Sequence, residues 1–365
     1  MKAVIPCAKK KESLFPFSET KPTALMPVAG KPLVKHTIES LTENGIDEIY
    51  LVANYREEMF EEVFNESPEV NIIHQENLDG TASAVSECSF IEDDFIVVNG
   101  DVLISENDIS RLLDKFHKED SPSMLGTYEN RPEKFGVLSI ENDEVKQIEE
   151  KPEDPENALV NTGIYTFTSE IFEIIESLDA EDRSLTDAVQ KMLESRKAYF
   201  LITEDYWLDI GSGEKLWEAD KIKRETIRET QVHKDAEISE DATLEGKIIV
   251  DRNAVIEADA TIKGNCYIGE HSLIESQTVV KDSSIHENTQ LNQCSVENSL
   301  LFDNNIVDPF VSVENTVLAE NCDIKSGTAI RECLIGARSF IESNNSILGT
   351  KFVPDARTDI GEISK

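Results

Sequence analysis

Two aspartates that follow apolar runs are the clearest candidates for a catalytic or metal-binding role. Asp101 comes after "IVVNG", and Asp209 closes the apolar part of "YWLDIG". Two carboxylates at the ends of predicted strands could share a Mg²⁺ ion, because this hard cation prefers oxygen ligands and serves phosphate chemistry. Each aspartate taken alone also fits a helix or turn cap, which is the commoner role of such a residue.

Polar residues at a second place could contact a nucleobase. Gln75 ends a predicted strand, and Gly80 with Thr81 opens a predicted helix. A side-chain amide can recognise the edge of a base, and a glycine lets the backbone approach a ligand closely. An ordinary loop followed by a helix N-cap explains the same spacing equally well.

A third group of residues could contact a sugar phosphate. Lys151 offers a point charge for a phosphate, and Glu150 beside it could accept hydrogen bonds from sugar hydroxyls. Asn161 in "VNTGIY" could hydrogen-bond a polyol. The competing interpretations are a solvated charged loop for the first pair and a turn for the asparagine.

The loop after the first predicted strand is where many α/β proteins bind a phosphate. Such loops are usually rich in glycine. Here the chain from Ile5 to Pro32 has lysines at positions 9 to 11, and its first glycine is Gly30. The loop therefore has the position of a phosphate loop without the glycines of one.

These residues lie in the first of two halves, which differ in the period of their apolar residues. Up to about residue 230, strand-like runs alternate with amphipathic helical patterns, which predicts a parallel sheet with helices on both faces. Ligands of such sheets lie at the carboxyl ends of the strands, so the loops after Ala8, Glu76 and Asn99 are the expected site. The later part of this half is richer in strands, and a charged helix over about 213–230 leads out of it.

A repeat of six residues begins near residue 231. An aliphatic residue recurs at every sixth position from Val232 to Val280, and a residue that is nearly always small follows it four positions later. A helix cannot bury one face with this period, but each hexad can form one side of a triangular β-solenoid. The register breaks near His286, resumes at Leu318 and shifts by one residue before Ile335. We predict a solenoid over 231–350 and a tail or cap over 351–365.

The composition narrows the function classes. The chain has 365 residues, of which 39% are hydrophobic, and its net charge of −38 repels nucleic acids and anionic lipids. No apolar run approaches the ~20 residues of a membrane helix, and the first residues have the wrong charge order for a secretion signal. The six cysteines lack CxxC spacing and predict small buried residues in a reducing compartment. We therefore expect a cytoplasmic protein without nucleic-acid or membrane partners.

Several short motifs, in their order and spacing, resemble the sugar-1-phosphate nucleotidylyltransferase family. This family includes glucose-1-phosphate thymidylyltransferases and mannose-1-phosphate guanylyltransferases. The resemblance spans essentially the whole chain and implies an α/β fold. The implied fold is a Rossmann-like nucleotidyltransferase domain with a mixed sheet over 1–230, followed by a left-handed parallel β-helix. The motifs are "MKAVI", "TKPTALMPVAGKP", "GIDEIYLV", "QENLDGTASA", "VVNGD", "FGVL", "EEKP", "NTGIY" and "YWLDIG".

The resemblance also implies a reaction, a metal and roles for the residues. A sugar 1-phosphate would attack the α-phosphate of a nucleoside triphosphate and release pyrophosphate, and catalysis would be mostly positioning and charge neutralisation. Solenoid tails of this type commonly form homo-oligomers in the family. The implied roles are Mg²⁺ binding for Asp101 and Asp209, nucleotide binding for Ala8, Lys9, Lys11, Gln75, Gly80 and Thr81, and sugar-phosphate binding for Gly136, Glu150, Lys151 and Asn161.

The loop after the first strand departs from the family pattern. A gapless comparison puts Lys9 and Lys11 at the family's glycines, Ser13 at its arginine and Thr23 at its lysine. Each missing charge-assisted donor could lower the rate by ~10²–10³, which favours weak or absent turnover.

Three interpretations of the function follow. The chain is an active enzyme in which lysines 9–11 replace the lost clamp, or an inactive ligand-sensing or regulatory subunit of an active paralogue. Least favoured is an acyltransferase built on the solenoid, for which His233, His271 or His286 would have to serve as the base.

Overall fold

The chain forms two compact units in the computed structural model, which describes residues 1–178 and 184–364. The first unit consists of Met1–Lys10, Pro22–Leu25 and Leu33–Asp209. The second consists of Lys11–Lys21, Met26–Pro32 and Ile210–Lys365. The loop after the first strand is thus divided between the units, which a single boundary near residue 230 does not anticipate.

The first unit is an α/β domain, and its strands and helices follow the predicted alternation. The strands before residue 210 are β1 (Lys2–Pro6), β2 (Pro27–Val28), β3 (Lys31–Pro32), β4 (Ile49–Ala53), β5 (Val70–His74), β6 (Phe95–Val98), β7 (Val102–Ile104), β8 (Ser123–Tyr128), β9 (Gly136–Glu141), β10 (Glu144–Glu150), β11 (Leu159–Phe167), β12 (Tyr199–Ile202) and β13 (Trp207–Asp209). The α-helices are α1 (Leu33–Glu43), α2 (Glu57–Phe64), α3 (Thr81–Ser86), α4 (Glu106–Glu119), α5 (Ile171–Glu176), α6 (Leu185–Met192) and α7 (Gly213–Glu225). Of these elements, β2, β3 and α7 belong to the second unit.

A nine-stranded mixed sheet is the centre of the first unit. Its strand order is β5-β4-β1-β6-β11-β8-β12-β10-β9. β1 runs parallel to β4 and β6, whereas β11 runs antiparallel to β6 and β8. Val4 and Val97 belong to one buried cluster, and Ile5 and Val98 belong to another. The alternation shows that apolar groups cover both faces of these strands, as in a sheet with helices on both sides.

One predicted strand is interrupted. The apolar pattern of "DFIVVNGDVLI" predicts one continuous strand, but β6 ends at Val98 and β7 begins at Val102. β7 leaves the main sheet and pairs with β13. The break occurs at Gly100, whose N–H donates to the carbonyl of Pro6 at 3.0 Å.

The second unit contains a parallel β-helix, consistent with the predicted left-handed coil. A seven-stranded sheet forms one side, and a fourteen-stranded sheet forms the other two. The larger sheet turns a corner because Thr261–Ile268 pairs with 279–281 through its first residues and with 284–285 through its last. The strands are β14 (Gln231–Val232), β15 (Glu237–Ile238), β16 (Thr243–Val250), β17 (Val255–Ile256), β18 (Thr261–Ile268), β19 (Leu273–Ile274), β20 (Val279–Lys281), β21 (Ser284–Ile285), β22 (Gln290–Leu291), β23 (Ser295–Glu297), β24 (Leu300–Leu301), β25 (Ile306–Val307), β26 (Ser312–Glu314), β27 (Val317–Leu318), β28 (Asp323–Ile324), β29 (Ala329–Arg331), β30 (Leu334–Ile335), β31 (Phe340–Ile341), β32 (Ser346–Leu348), β33 (Lys351–Phe352) and β34 (Ile363–Ser364).

The aliphatic positions of the hexads form the core of this β-helix. From Val250 to Val280 every one of them is buried. Val232 is an exception, with 46% of its surface exposed, because β14 lies at the end of the stack and pairs only with β16. The six-residue period therefore identifies the core correctly except at this end.

The coils shorten where the hexad register breaks. Val255 lies opposite Leu273, a spacing of 18 residues, whereas Leu273 lies opposite Gln290 after 17 residues and Gln290 opposite Ile306 after 16. The turns lose residues while the strands remain stacked. The segment predicted as a tail or cap extends the stack, since β33 pairs with β30 and β34 pairs with β32.

A buried ion pair on α7 joins several segments of the second unit. Asp220 and Arg224 are both buried, and the Arg224 Nε donates to Asp220 Oδ2 at 2.8 Å. The other carboxylate oxygen of Asp220 accepts from the N–H of Ala29 at 2.9 Å and from the hydroxyl of Ser284 at 2.6 Å. Asp220 thus fixes the hairpin of β2 and β3 and one coil of the β-helix to the same helix.

Candidate active site

The two aspartates predicted to bind a metal lie on neighbouring strands. Asp101 directly precedes β7, and Asp209 is the last residue of β13. In the antiparallel pair of these strands Asp209 lies opposite Val102, the residue after Asp101. Residues opposite each other in such a pair have Cα atoms about 4.5–5.5 Å apart, so the backbones at Asp101 and Asp209 lie close together.

Close backbone packing fixes the loop that carries Asp101. Asn99 donates its N–H to the carbonyl of Gly163 at 3.2 Å. A Cβ on Gly100 would lie 2.3 Å from the Cys7 Sγ and 2.9 Å from the carbonyl oxygen of Pro6, so no larger residue fits without displacement. The pKa of the Cys7 thiol is raised, first by its burial and second by the charge of Asp101. Asp101 therefore lies beside the end of β1.

The residues that leave β1 adopt no glycine-like backbone. Cys7 donates its N–H to the carbonyl of Val52 at 2.7 Å, and the carbonyl of Ala8 accepts from the N–H of Tyr55 at 3.0 Å. Lys9 is exposed and Lys10 is half-buried. The residues with positive φ in the described chain do not include lysines 9–11, and Lys11 has φ −95°. A backbone nest for phosphate is therefore not formed at these residues.

Lys11 opens the segment that belongs to the second unit. Its predicted place beside the nucleotide stays a prediction. Ser13, which stands at the family's arginine, is exposed. Thr23, which stands at the family's lysine, is buried, and its hydroxyl has no hydrogen-bond partner.

The predicted base-binding residues follow β5. Gln75 is 2% exposed, and its Nε2 donates to the carbonyl of Asn77 at 2.7 Å, which folds the side chain back over its own loop. Gly80 has φ 143° at the start of α3, a value that favours glycine. The hydroxyl of Thr81 accepts from the N–H of Leu185 at 2.9 Å, so it also holds the start of α6.

The predicted sugar-phosphate residues lie side by side on three adjacent strands. Glu150 lies opposite Gly136 in the pair of β10 and β9. Val160 lies opposite Val137 in the pair of β11 and β9, which brings Asn161 to the other side of Gly136. A Cβ on Gly136 would meet the Glu150 Oε2 at 3.3 Å, so the glutamate side chain reaches over this glycine.

Lys151 and Glu150 form an exposed ion pair. The Lys151 Nζ lies 3.1 Å from the Glu150 Oε1, and 63% of the lysine side chain is accessible. Lys151 has φ 45°, and its N–H donates to the carbonyl of Phe135 at 3.0 Å. An exposed pair of this kind contributes little to stability, so the ammonium can turn to a phosphate at small cost.

Asn161 supports a bulge in β11. Its Oδ1 accepts from the N–H of Gly163 at 3.1 Å, and its Nδ2 donates to the hydroxyl of Tyr165. The pairing of β11 with β8 shifts between these residues. Gly163 has φ 77°, and a Cβ there would lie 2.3 Å from the Asn99 Nδ2. The bulge thus brings Gly163 next to Asn99 in the loop of Asp101.

Sequence reasoning missed several residues that build this site. Asn99, Gly100 and Gly163 set the backbone of the Asp101 loop, and Trp207 donates its Nε1–H to the carbonyl of Thr162 at 3.0 Å. The Trp207 ring packs edge-on against Phe135, with centroids 5.8 Å apart. The quoted motifs "VVNGD", "NTGIY" and "YWLDIG" contain most of these residues, so the motifs themselves could have indicated them.

The histidines of the repeat half lie in three different environments. His286 is 3% exposed, and its Nε2 has no hydrogen-bond partner. The side chain of His271 is mainly accessible and lies 3.4 Å from Glu270, while the Nδ1 of His233 accepts from the N–H of Asp235 at 3.2 Å. Within residues 1–178 and 184–364, no group of three or more His, Cys, Asp and Glu side chains could hold a metal ion. In the same ranges, no helix combines the length and apolar character needed to cross a bilayer.

Comparison with known protein families identifies the family to which the chain belongs. The family model described as nucleotidyl transferase matches residues 10–226, more than half of the chain. The chain belongs to this family. A second model, described as the GMPPB C-terminal domain, matches residues 244–348 of this nucleotidyltransferase-family protein. The resemblance stated from the motifs is thereby confirmed.

Similar proteins agree with this assignment. The bifunctional protein GlmU of Methanocaldococcus jannaschii is 34% identical over 335 residues, which cover 90% of this chain and 80% of that protein. A bifunctional sugar-1-phosphate nucleotidylyltransferase/acetyltransferase of Sulfurisphaera tokodaii is 30% identical over 69% of this chain and 62% of that protein. A crystal structure assigned to a glucose-1-phosphate thymidylyltransferase of Bacillus anthracis shares the fold. Its TM-score is 0.57 at 24% identity, over 61% of this chain and 94% of that one.

Proposed function

We propose that this protein converts a nucleoside triphosphate and a sugar 1-phosphate to a nucleotide sugar and pyrophosphate, with slow turnover. The observation that carries the proposal is the pairing of β13 with β7, which puts Asp209 next to Asp101 at the end of β6. Gly136, Glu150 and Asn161 lie together on adjacent strands. A site with paired carboxylates and a separate set of polar residues suits a reaction between two phosphorylated substrates.

The donor set suits Mg²⁺. Family members use divalent metal ions, and Mg²⁺ is typically held by one or two carboxylates together with substrate phosphates rather than by a cage of protein ligands. Asp101 and Asp209 supply two carboxylates on paired strands. In the described residues, no third His, Cys, Asp or Glu side chain joins them to form a group that could hold a metal ion. When bound there, the ion would neutralise charge on the phosphates and orient them.

The chain's own residues would position the substrates. Lys151 would exchange its exposed pair with Glu150 for the phosphate of the sugar, and Glu150 would accept from sugar hydroxyls. Gln75 would face the base from its buried position at the end of β5. Lys9 is the exposed cation at the end of β1 and would meet the triphosphate as a point charge.

Slow turnover follows from the eroded loop. Ser13 and Thr23 stand where the family has cations, and lysines 9–11 adopt no backbone nest. Electrostatic stabilisation is often the largest part of such catalysis. The same observation favours the second candidate, an inactive ligand-sensing or regulatory subunit of an active paralogue. Acyl transfer remains the least favoured candidate. We also propose that the protein is cytoplasmic and forms a homo-oligomer, on the basis of its composition and its family.

An assay of pyrophosphate release separates these candidates. Purified protein receives Mg²⁺, each common nucleoside triphosphate and a panel of sugar 1-phosphates. We expect measurable turnover below roughly 1 s⁻¹, the low end of ordinary enzymes. A thermal shift with sugar phosphate but no pyrophosphate release would contradict slow catalysis and support the regulatory candidate. Consumption of acetyl-CoA with an amino-sugar phosphate would instead support acyl transfer.

Restoring the family residues tests the account of the loop. The triple change Lys9→Gly, Lys11→Gly and Ser13→Arg places an arginine at an exposed position, where it needs no repacking. We expect nucleotide affinity to rise, because the two glycines allow a nest of backbone N–H donors and the arginine adds a charge-assisted donor, which together outweigh the loss of two lysine charges. Thr23→Lys belongs to a separate variant, since it would bury an ammonium. Unchanged affinity of the triple variant would show that the loop does not meet the triphosphate.

A further inference from the structure

The segment Lys11–Lys21 has a defined conformation within the second unit. It contains two short 3-10 turns, Glu12–Leu14 and Phe17–Glu19. The N–H of Leu14 donates to the carbonyl of Lys11 at 3.0 Å, and the N–H of Thr20 donates to that of Phe17 at 3.2 Å. This part of the loop includes Ser13, which stands where the family has its arginine.

Phe17 anchors the segment in an apolar contact. It is completely buried, and its ring centroid lies 5.6 Å from that of Phe302, a buried residue of the β-helix. A Cβ on Gly213 would lie 2.9 Å from the Phe17 Cε2, so the start of α7 closes around the ring. Burying an aromatic ring in such a contact contributes more than most single polar contacts.

Lys21 anchors the other end of the segment. Its Nζ lies 3.7 Å from the Asp303 Oδ2 and 5.6 Å from the centroid of the Phe302 ring. Only 13% of the Lys21 side chain is accessible, which limits screening of the pair by salt. Of the two lysines of this segment, Lys21 is thus paired with a coil of the β-helix.

We propose that Lys11–Lys21 is a permanent strap on the β-helix rather than a lid that closes on phosphate. The strap keeps its conformation whether or not a nucleotide is present, because Phe17 and Lys21 hold it through contacts that no ligand supplies. One consequence of this inference, which concerns the phosphates of a bound nucleotide, rests on the proposed function. The phosphates of a bound nucleotide are left to residues before the strap, namely Lys9 and Lys10.

Hydrogen exchange of the full chain, followed by mass spectrometry, tests the strap. Exchange is measured in the peptide over residues 12–20 and in the peptide that contains Gln75 to Thr81. The proteins are the unaltered chain, Phe17→Ala, Phe302→Ala and the matched control Phe15→Ala, whose ring is 37% exposed in the same segment. Each is studied alone and with Mg²⁺ and ATP, CTP, GTP, UTP or dTTP.

We expect Phe17→Ala to speed exchange over 12–20 by at least about tenfold, and Phe15→Ala by less than about threefold. Any nucleotide that protects the Gln75 peptide should leave exchange over 12–20 unchanged. Equal acceleration by Phe17→Ala and by Phe15→Ala would overturn the strap. So would slowing of 12–20 by a nucleotide that also protects Gln75, because the ligand would then order the segment. If no nucleotide protects the Gln75 peptide, the proposed function fails, while the comparison of the variants still decides the strap.

Discussion

Two loops leave neighbouring parallel strands of one sheet but differ in the unit to which they belong and in the contacts that hold them. β1 and β6 are both apolar and buried, and they lie side by side in register. The loop after β6 stays in the first unit and brings Asp101 next to Asp209. The loop after β1 is divided, since Lys11–Lys21 and Met26–Pro32 belong to the second unit while Pro22–Leu25 belongs to the first.

The difference shows what a strand end does and does not determine. The sheet fixes where both loops begin, since ligands of such sheets lie at the carboxyl ends of the strands. What each loop binds depends on its own side chains and on the groups that pack against it. Asn99 and Gly100 are held by backbone hydrogen bonds to Gly163 and Pro6, whereas Phe17 and Lys21 contact Phe302 and Asp303.

The largest effect on stability is expected where the loop after β1 is held in the second unit. Asp220→Ala removes the acceptor of the Ala29 N–H and leaves Arg224 buried without its partner. Breaking a buried pair in this way costs about 3–5 kcal/mol, so we expect the free energy of unfolding to fall by that amount. Urea unfolding followed by tryptophan fluorescence measures it, because Trp217 lies on the same helix.

Glu218→Gln is the matched control for this prediction. Glu218 lies on the same helix, but its pair with Lys215 is nearly half accessible to solvent, unlike the buried pair of Asp220 and Arg224. Exposed pairs contribute about 0–1 kcal/mol, so the control should unfold almost like the unaltered chain. Equal losses in the two variants would mean that Asp220 has no special part in holding the hairpin.

Sequence reasoning predicted the loop after β6 better than the loop after β1, for a physical reason. An apolar run followed by Asp101 is a local pattern, and a six-residue aliphatic repeat is local to each coil. The contact of Phe17 with Phe302 joins distant parts of the chain, and no period or motif records it. The interruption after Val98 was missed because it depends on a hydrogen bond between Gly100 and Pro6. The shortened coils were visible only as a broken register, without the turns that cause it.

The next effect concerns catalysis at the loop after β6. Asp101→Asn keeps the shape of the side chain but removes the charge that we propose binds the metal. If the chain turns over as proposed, we expect pyrophosphate release to fall by about 10²–10³, because charge neutralisation carries much of this chemistry. Asp94→Asn is the control, since Asp94 is an exposed carboxylate just before the other end of β6. Unaltered turnover of Asp101→Asn, with saturating Mg²⁺, would remove this aspartate from the site.

A smaller effect tests whether packing alone positions Asp101. Gly100→Ala would put a Cβ 2.3 Å from the Cys7 Sγ, and overpacking of this kind costs about 1–3 kcal/mol. The double variant Cys7→Ala with Gly100→Ala removes that clash and leaves the contact with the Pro6 carbonyl. We expect it to recover about half of the lost stability in a double-mutant cycle. Strictly additive losses would indicate that the Cys7 thiol does not limit the space at Gly100.

The smallest effect is a pH dependence beneath the strap. Burial lowers the pKa of His286, an effect that Lys21 reinforces and that the charges of Asp303 and Asp220 oppose. The ring of Tyr267 packs against it at 5.2 Å. The neutral histidine is therefore the form that suits the fold, whereas the unfolded chain takes up a proton near the ordinary histidine pKa of about 6.5. Stability from this group is complete above that pH and is lost as the pH falls below it.

His286→Phe isolates this contribution, because the next coil carries Phe302 at the stacked position. Between pH 7.5 and 5.5 we expect the unaltered chain to lose about 1 kcal/mol more free energy of unfolding than the variant. Glu287, whose pKa is raised by burial and then by Asp303, acts in the opposite direction, but it is present in both proteins. Urea unfolding at several pH values measures the difference. If the free energies of unfolding of the two proteins fall in parallel with pH, His286 takes up no proton on unfolding in this range. His286 would then not make the stability of the chain sensitive to mild acid.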